Sequence, residues 1–121
     1  MSFTHTITDL PTENEYPKLI RDKIVEIIQA NDGFTVPTRV LSDDVEFLEY
    51  LLKKVVEEAE ELSQATSDSN LVEEIADVYE IIDAILKLKG IDHSNALTVQ
   101  NEKREKRGGF EQRLLMLEKH A

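Results

Sequence analysis

Cysteine is absent from the 121 residues of this chain, which excludes a disulfide framework, a thiolate metal site and a catalytic thiol. Any metal has to be held by oxygen ligands. Glycine and proline are scarce, at four and three residues. With 40% hydrophobic and 32% charged residues, the composition fits a helix-rich globular protein and opposes a disordered or collagen-like one. No apolar run approaches the length that crosses a bilayer, and MSFTHTITDLPTENEY has neither the basic nor the apolar region of a secretory signal. The expectation is a soluble cytoplasmic protein with no membrane partner. Positive charge is also in short supply: 14 basic residues against 25 acidic ones leave a formal net charge of −11. That balance opposes attraction to a nucleic acid polymer or an anionic membrane. An anionic small substrate can still bind through a divalent cation.

A chain of this length is most economically one domain. Residues 1–17 are polar, with Pro11 and Pro17, and read as an N-terminal arm. Residues 18–121 then form the domain. Leu19, Ile20, Ile24, Ile27 and Ile28 have near-helical spacing and predict a first helix from Lys18, ended near Asn31-Asp32-Gly33. FTVPTRVL is β-branched but holds Pro37, so it is an extended connector or a short edge strand at most. Asp43, three before Glu46, caps a second helix that runs to about Ala65, with a stripe of Val45, Leu48, Leu52, Val55, Ala59 and Leu62. After TSDSN, Asn70 with Glu73 caps a third helix, with Leu71, Ile75, Val78, Ile82 and Ile85 on one face until Gly90 stops it. Ser94 or a neighbour opens a fourth, through about Arg107, and EQRLLMLEK is a final short helix or an extended tail. The expected fold is all-α: a four-helix bundle-like single domain around a central antiparallel hairpin, completed by oligomerisation.

Residues 57–77 carry eight acidic side chains and no basic one. At 100° per residue, Glu58 and Glu61 fall roughly 80 to 140° to one side of the second helix's stripe, and Glu74 and Asp77 about 60 to 120° from the third's, in the same rotational sense. In an antiparallel hairpin, residues at one level share a constant sum of positions. Glu61 with Glu74 and Glu58 with Asp77 both give 135, so the four carboxylates converge, level, on one flank. Such a set repels itself unless a counter-charge is present. Mg²⁺, a hard cation that bridges carboxylates to phosphates, is the natural occupant, with Mn²⁺ as a substitute. Calcium fits less well, for lack of an EF-hand loop. Glu60, Glu73 and Glu80 project farther away and read as solvated helix surface.

The order E58-x-x-E61, twelve intervening residues, E74-x-x-D77 resembles the ExxE…ExxD signature of the MazG-like, all-α nucleoside triphosphate pyrophosphohydrolases, a superfamily that also holds phosphoribosyl-ATP pyrophosphohydrolases and dimeric dUTPases. KLIRDKI at 18–24 is similar to the opening of a short single-domain branch, and NEKREKRGGF at 101–110 to its last helix. The resemblance implies a helical bundle, a homo-oligomer (dimer or tetramer), and Mg²⁺-dependent cleavage of a nucleotide to the monophosphate and pyrophosphate. By position it places Glu58, Glu61, Glu74 and Asp77 on the metal, and Asn101, Lys103 and Arg107 on the nucleotide. The attacking water is held by the ion or by a carboxylate such as Glu57 or Glu61, and the residues leave open which is the base. A dedicated phosphoribosyl-ATP hydrolase and a non-enzymatic acidic docking module stay open as alternatives.

Lys18, Arg21 and Lys23 form a basic cluster in which Arg21 either binds phosphate oxygens or pairs with Asp22, Glu26 or acidic residues of the second helix. Lys103 and Arg107 share a helix face, which favours them over Arg104 and Lys106. Gly108-Gly109 reads as a terminator or as a close approach to phosphate. Phe110 reads as a core anchor before a base-stacking residue, and Tyr50 and Tyr79 as packing residues at the bundle edge. His5, His93 and His120 share no metal-like spacing and receive no role.

Overall fold

The computed structural model describes residues 16–120. The arm expected at 1–17 lies outside them apart from Tyr16 and Pro17. The described chain is all-α, with α1 (Ile24–Asp32), α2 (Asp44–Ser63), α3 (Asp68–Lys89) and α4 (His93–Arg107) and no strand. None of these helices is long and apolar enough to cross a membrane. The closely packed pair is α2 with α3, joined across residues 64–67, and this hairpin carries the site.

Local chemistry sets most of the boundaries. Asp43 caps α2, its carboxylate accepting from the Glu46 amide at 3.3 Å. The connector before it is extended, as expected, and Arg39 ties it to α2 with two hydrogen bonds to Glu46, at 3.0 and 2.7 Å. That clamp lowers the Glu46 pKa and raises that of Arg39. Gly33 and Gly90 end α1 and α3 with φ of 79° and 64°, in the left-handed region that a side chain disfavours. Asp92 caps α4 by accepting from the Ser94 amide at 3.1 Å.

Two boundaries depart from the sequence reading. α1 begins at Ile24 rather than Lys18, behind a turn in which the Ile24 amide donates to the Arg21 carbonyl at 3.1 Å. The adjacent pair Leu19-Ile20 fits an extended segment as well as a helix, and no capping residue precedes it to force the choice. The cap of α3 is Ser67, three residues before Asn70, with its hydroxyl accepting from the Asn70 amide at 3.1 Å. Asn70 instead returns a bond, its side-chain oxygen accepting from the Thr66 amide at 3.2 Å. Beyond Arg107 the described residues form an irregular tail, with a turn in which the Arg113 amide donates to the Phe110 carbonyl at 3.1 Å, rather than a fifth helix. Phe110 is 95% exposed there, so the expected core anchor is not one. Tyr79, read as a packing residue, is 64% exposed.

The buried face is the main departure. Among the described residues the buried side chains are Leu51, Lys54 and Glu58 of α2 and Glu74 and Ile81 of α3. On each helix this face lies roughly 70 to 100° from the centre of the apolar stripe, rotated toward the carboxylates in the same sense. The segment before α1 lies on that side, with Leu19 and Ile20 half-buried and Arg21 reaching Asp77. The far edge of the stripe is left uncovered: Val45, Leu52 and Val56 of α2, and Val72, Tyr79 and Ile82 of α3, are exposed.

Because Ser67 and not Asn70 carries the cap, Ser67→Ala should cost about 1 kcal/mol in urea denaturation. Asp92→Ala should cost less, since α4 has no buried residue to transmit its fraying to the hairpin.

Candidate metal centre

The two helices deliver their carboxylates to one point. Glu58 and Glu61 lie one turn apart on α2, Glu74 and Asp77 one turn apart on α3, and each offers an oxygen such that all four lie within 4.8 Å of one another. The level register read from the position sum is the one the hairpin adopts. Its burial is uneven: Glu58 and Glu74 are 4% and 3% exposed, with Glu61 and Asp77 half-buried beside them.

Burial without partners gives the cluster its electrostatic character. Glu58, Glu61 and Glu74 each keep one buried oxygen, Oε2, with no hydrogen-bond partner. Buried polar atoms in folded proteins are nearly always satisfied, so three orphaned oxygens among the members of one cluster suit a site that receives a ligand. Burial first, then the charge of Glu58 and a hydrogen bond to it, then the charges of Glu74 and Glu57, push the Glu61 carboxyl up to about 8. Glu58 is also raised, chiefly by burial, against the opposing pull of its hydrogen bond with Glu61 and of the Lys54 ammonium. All the donors are hard oxygens, so the orphaned set suits a hard divalent cation such as Mg²⁺.

Two cations flank the quartet. Arg21 pairs with Asp77 at 2.8 Å, so its partner lies on α3 rather than at Asp22, Glu26 or α2. Lys54 is 8% exposed, its ammonium 3.1 Å from both oxygens of Glu57 and 3.8 Å from Glu58 Oε1. The sequence reading missed it. The signal was present in the spacing, since Lys54 lies three and four residues before Glu57 and Glu58. Asn70 completes the inner wall, its amide donating to Glu74 Oε1 at 3.3 Å.

The Lys18 ammonium lies 5.5 Å from the centre of the Tyr16 ring. Asn101, Lys103 and Arg107 are exposed on α4, and among the described residues no hydrogen bond or ion pair links them to the carboxylates. Arg104 is engaged with Glu111 instead.

The raised Glu61 pKa carries a sign. Between the ordinary 4.5 and about 8, the folded protein binds more protons than the unfolded one, so metal-free stability should fall as pH rises through that window. In Glu61→Gln this part of the slope should vanish, leaving a higher Tm than wild type at pH 8 in chelator. Mg²⁺ should raise the wild-type Tm more at pH 8 than at pH 6, because it binds the deprotonated carboxylates. Parallel pH profiles for the two proteins would refute the assignment.

No family model matches this chain, and neither a curated protein nor a solved structure matches it.

Proposed function

We propose that this protein is a Mg²⁺-dependent nucleotide pyrophosphohydrolase that cleaves a nucleoside triphosphate, or a related nucleotide, to the monophosphate and pyrophosphate. Clearance of non-standard nucleotides is one use that such an activity would serve. The reading rests above all on one observation: four acidic side chains meet within 4.8 Å and three of them keep a buried oxygen without a partner. The ExxE…ExxD order of those residues, between KLIRDKI and NEKREKRGGF, supports the same class by resemblance. Burial also weighs against an acidic docking face, since Glu58 and Glu74 cannot meet a basic partner from beneath the surface.

Glu58, Glu61, Glu74 and Asp77 would hold the cation, and Mg²⁺ or Mn²⁺ supplies neutralisation of the phosphate charge when bound. Glu57 or Glu61 holds the water that attacks the α-phosphorus and takes its proton as the new P–O bond forms and the bond to pyrophosphate breaks. Lys103 and Arg107 bind the phosphate chain, with Asn101 on the sugar or base. Arg21, beside Asp77, and Lys18 supply positive charge where the phosphates enter.

A second copy of this chain completes the fold in this reading. Leu51 and Ile81 are the buried apolar residues among those described, and at about 1.5–3 kcal/mol each they offset little of the conformational entropy of a domain this size. The exposed apolar edge on the other side of the hairpin offers a surface of the kind that homodimers bury.

Pyrophosphate release should therefore be seen with Mg²⁺ and abolished by chelator across a panel of ordinary, deoxy and damaged triphosphates plus phosphoribosyl-ATP. Turnover of phosphoribosyl-ATP alone would identify the dedicated histidine-biosynthesis enzyme. Glu61→Gln and Asp77→Asn should lose about 10²-fold or more in kcat with helicity intact, and Lys103→Ala should raise KM about tenfold. Near-normal turnover in both carboxylate variants would sink the site. Light scattering should give a dimer or tetramer that Val56→Lys shifts toward monomer, whereas a fully active wild-type monomer would contradict the assembly.

A further inference from the structure

We infer that Lys54 restricts the carboxylate cluster to one divalent cation by withholding Glu57 from it, an inference that rests on the metal-site reading above. Five carboxylates crowd this region, and their partners divide them into two sets. Asp77 is matched by Arg21 at 2.8 Å, and both oxygens of Glu57 by Lys54 at 3.1 Å. Glu58, Glu61 and Glu74 are the three that keep an unpartnered buried oxygen. Three oxygens offered to one point suit one hard cation, whose other positions are filled by water and substrate oxygens.

A second ion, as in two-metal hydrolases, would have to lie about 3.5–4 Å from the first and bring carboxylates of its own. The available ligand is Glu57, adjacent in sequence to Glu58 and one turn from Glu61. Its counter-ion already stands between the two: the Lys54 ammonium touches both Glu57 oxygens and lies 3.8 Å from Glu58 Oε1. A lysine is almost never buried unless paired, and Lys54 is 8% exposed. It therefore occupies the position a second cation bridging Glu57 and Glu58 would take. Arg21 engages Asp77 on the neighbouring helix, but with a side chain 55% exposed, so the substrate can draw it away. Lys54 has no such freedom.

The test is Mn²⁺ binding by the full chain, followed by electron paramagnetic resonance of the free and bound ion and by calorimetry, without substrate. Wild type should bind one Mn²⁺ per chain. Lys54→Met should bind two, with dipolar broadening between them, and Lys54→Arg should return to one. The double variant K54M/E57Q should also bind one, because the second site is made by the freed Glu57. A Lys54→Met protein that binds a single ion with wild-type affinity overturns the inference while leaving the metal site standing. Wild type binding two ions overturns it as well, and decides the matter without a variant should Lys54→Met fail to fold by circular dichroism. Wild type binding no Mn²⁺ removes the metal-site reading itself, and the inference with it.

Discussion

Negative charge taken out of water is the constraint around which this hairpin is arranged. Of the five side chains buried among the described residues, three are charged, Lys54, Glu58 and Glu74. Desolvating an ion costs several kcal/mol unless it is paired, and packing carboxylates together adds repulsion to that cost. The chain meets it in three ways: two cations, Arg21 at Asp77 and Lys54 at Glu57 and Glu58, a raised Glu61 pKa that favours its protonated form, and carboxylates gathered where a divalent cation would remove the strain. Unpaired buried charge of this kind makes a hairpin less stable than an apolar pair of the same length would be.

The same arrangement explains why the apolar residues sit where they do. A helix pair whose best-covered face is spent on carboxylates leaves one edge of its apolar stripe outside. Val45, Leu52 and Val56 on α2, with Val72, Tyr79 and Ile82 on α3, form that edge. In the proposed reading, the acidic side and the apolar side of one hairpin would serve different ends, one for ligand and one for assembly. Catalysis by the first would depend on the second, because the buried core of a single copy is small.

Much of this was legible before any coordinates. Caps and terminators are local chemistry, so Asp43, Gly33, Gly90 and the start of α4 could be read to within a residue or two. Ser67 was missed in favour of Asn70 because both are cap formers and the run TSDSN offers several. The level register of Glu61 with Glu74 and of Glu58 with Asp77 needed only a short turn and the helical rise. Lys54 and the Arg21 partner were less legible, since a lysine on a charged helix is ordinarily a solvated one.

By itself the sequence determined the elements and their order: helical periodicity, capping side chains and a short turn suffice to produce an antiparallel pair with four carboxylates at matched heights. Periodicity reports where apolar residues are centred on each helix and does not report which side of that centre becomes covered. Only the tertiary structure decided the rotation, because the segment before α1 lies against the carboxylate side and Arg21 reaches Asp77 across 56 residues. That contact is non-local, so no window of sequence contains it. The rotation it accompanies separates a solvated acidic flank from one in which Glu58 and Glu74 are buried and the Glu61 pKa is raised.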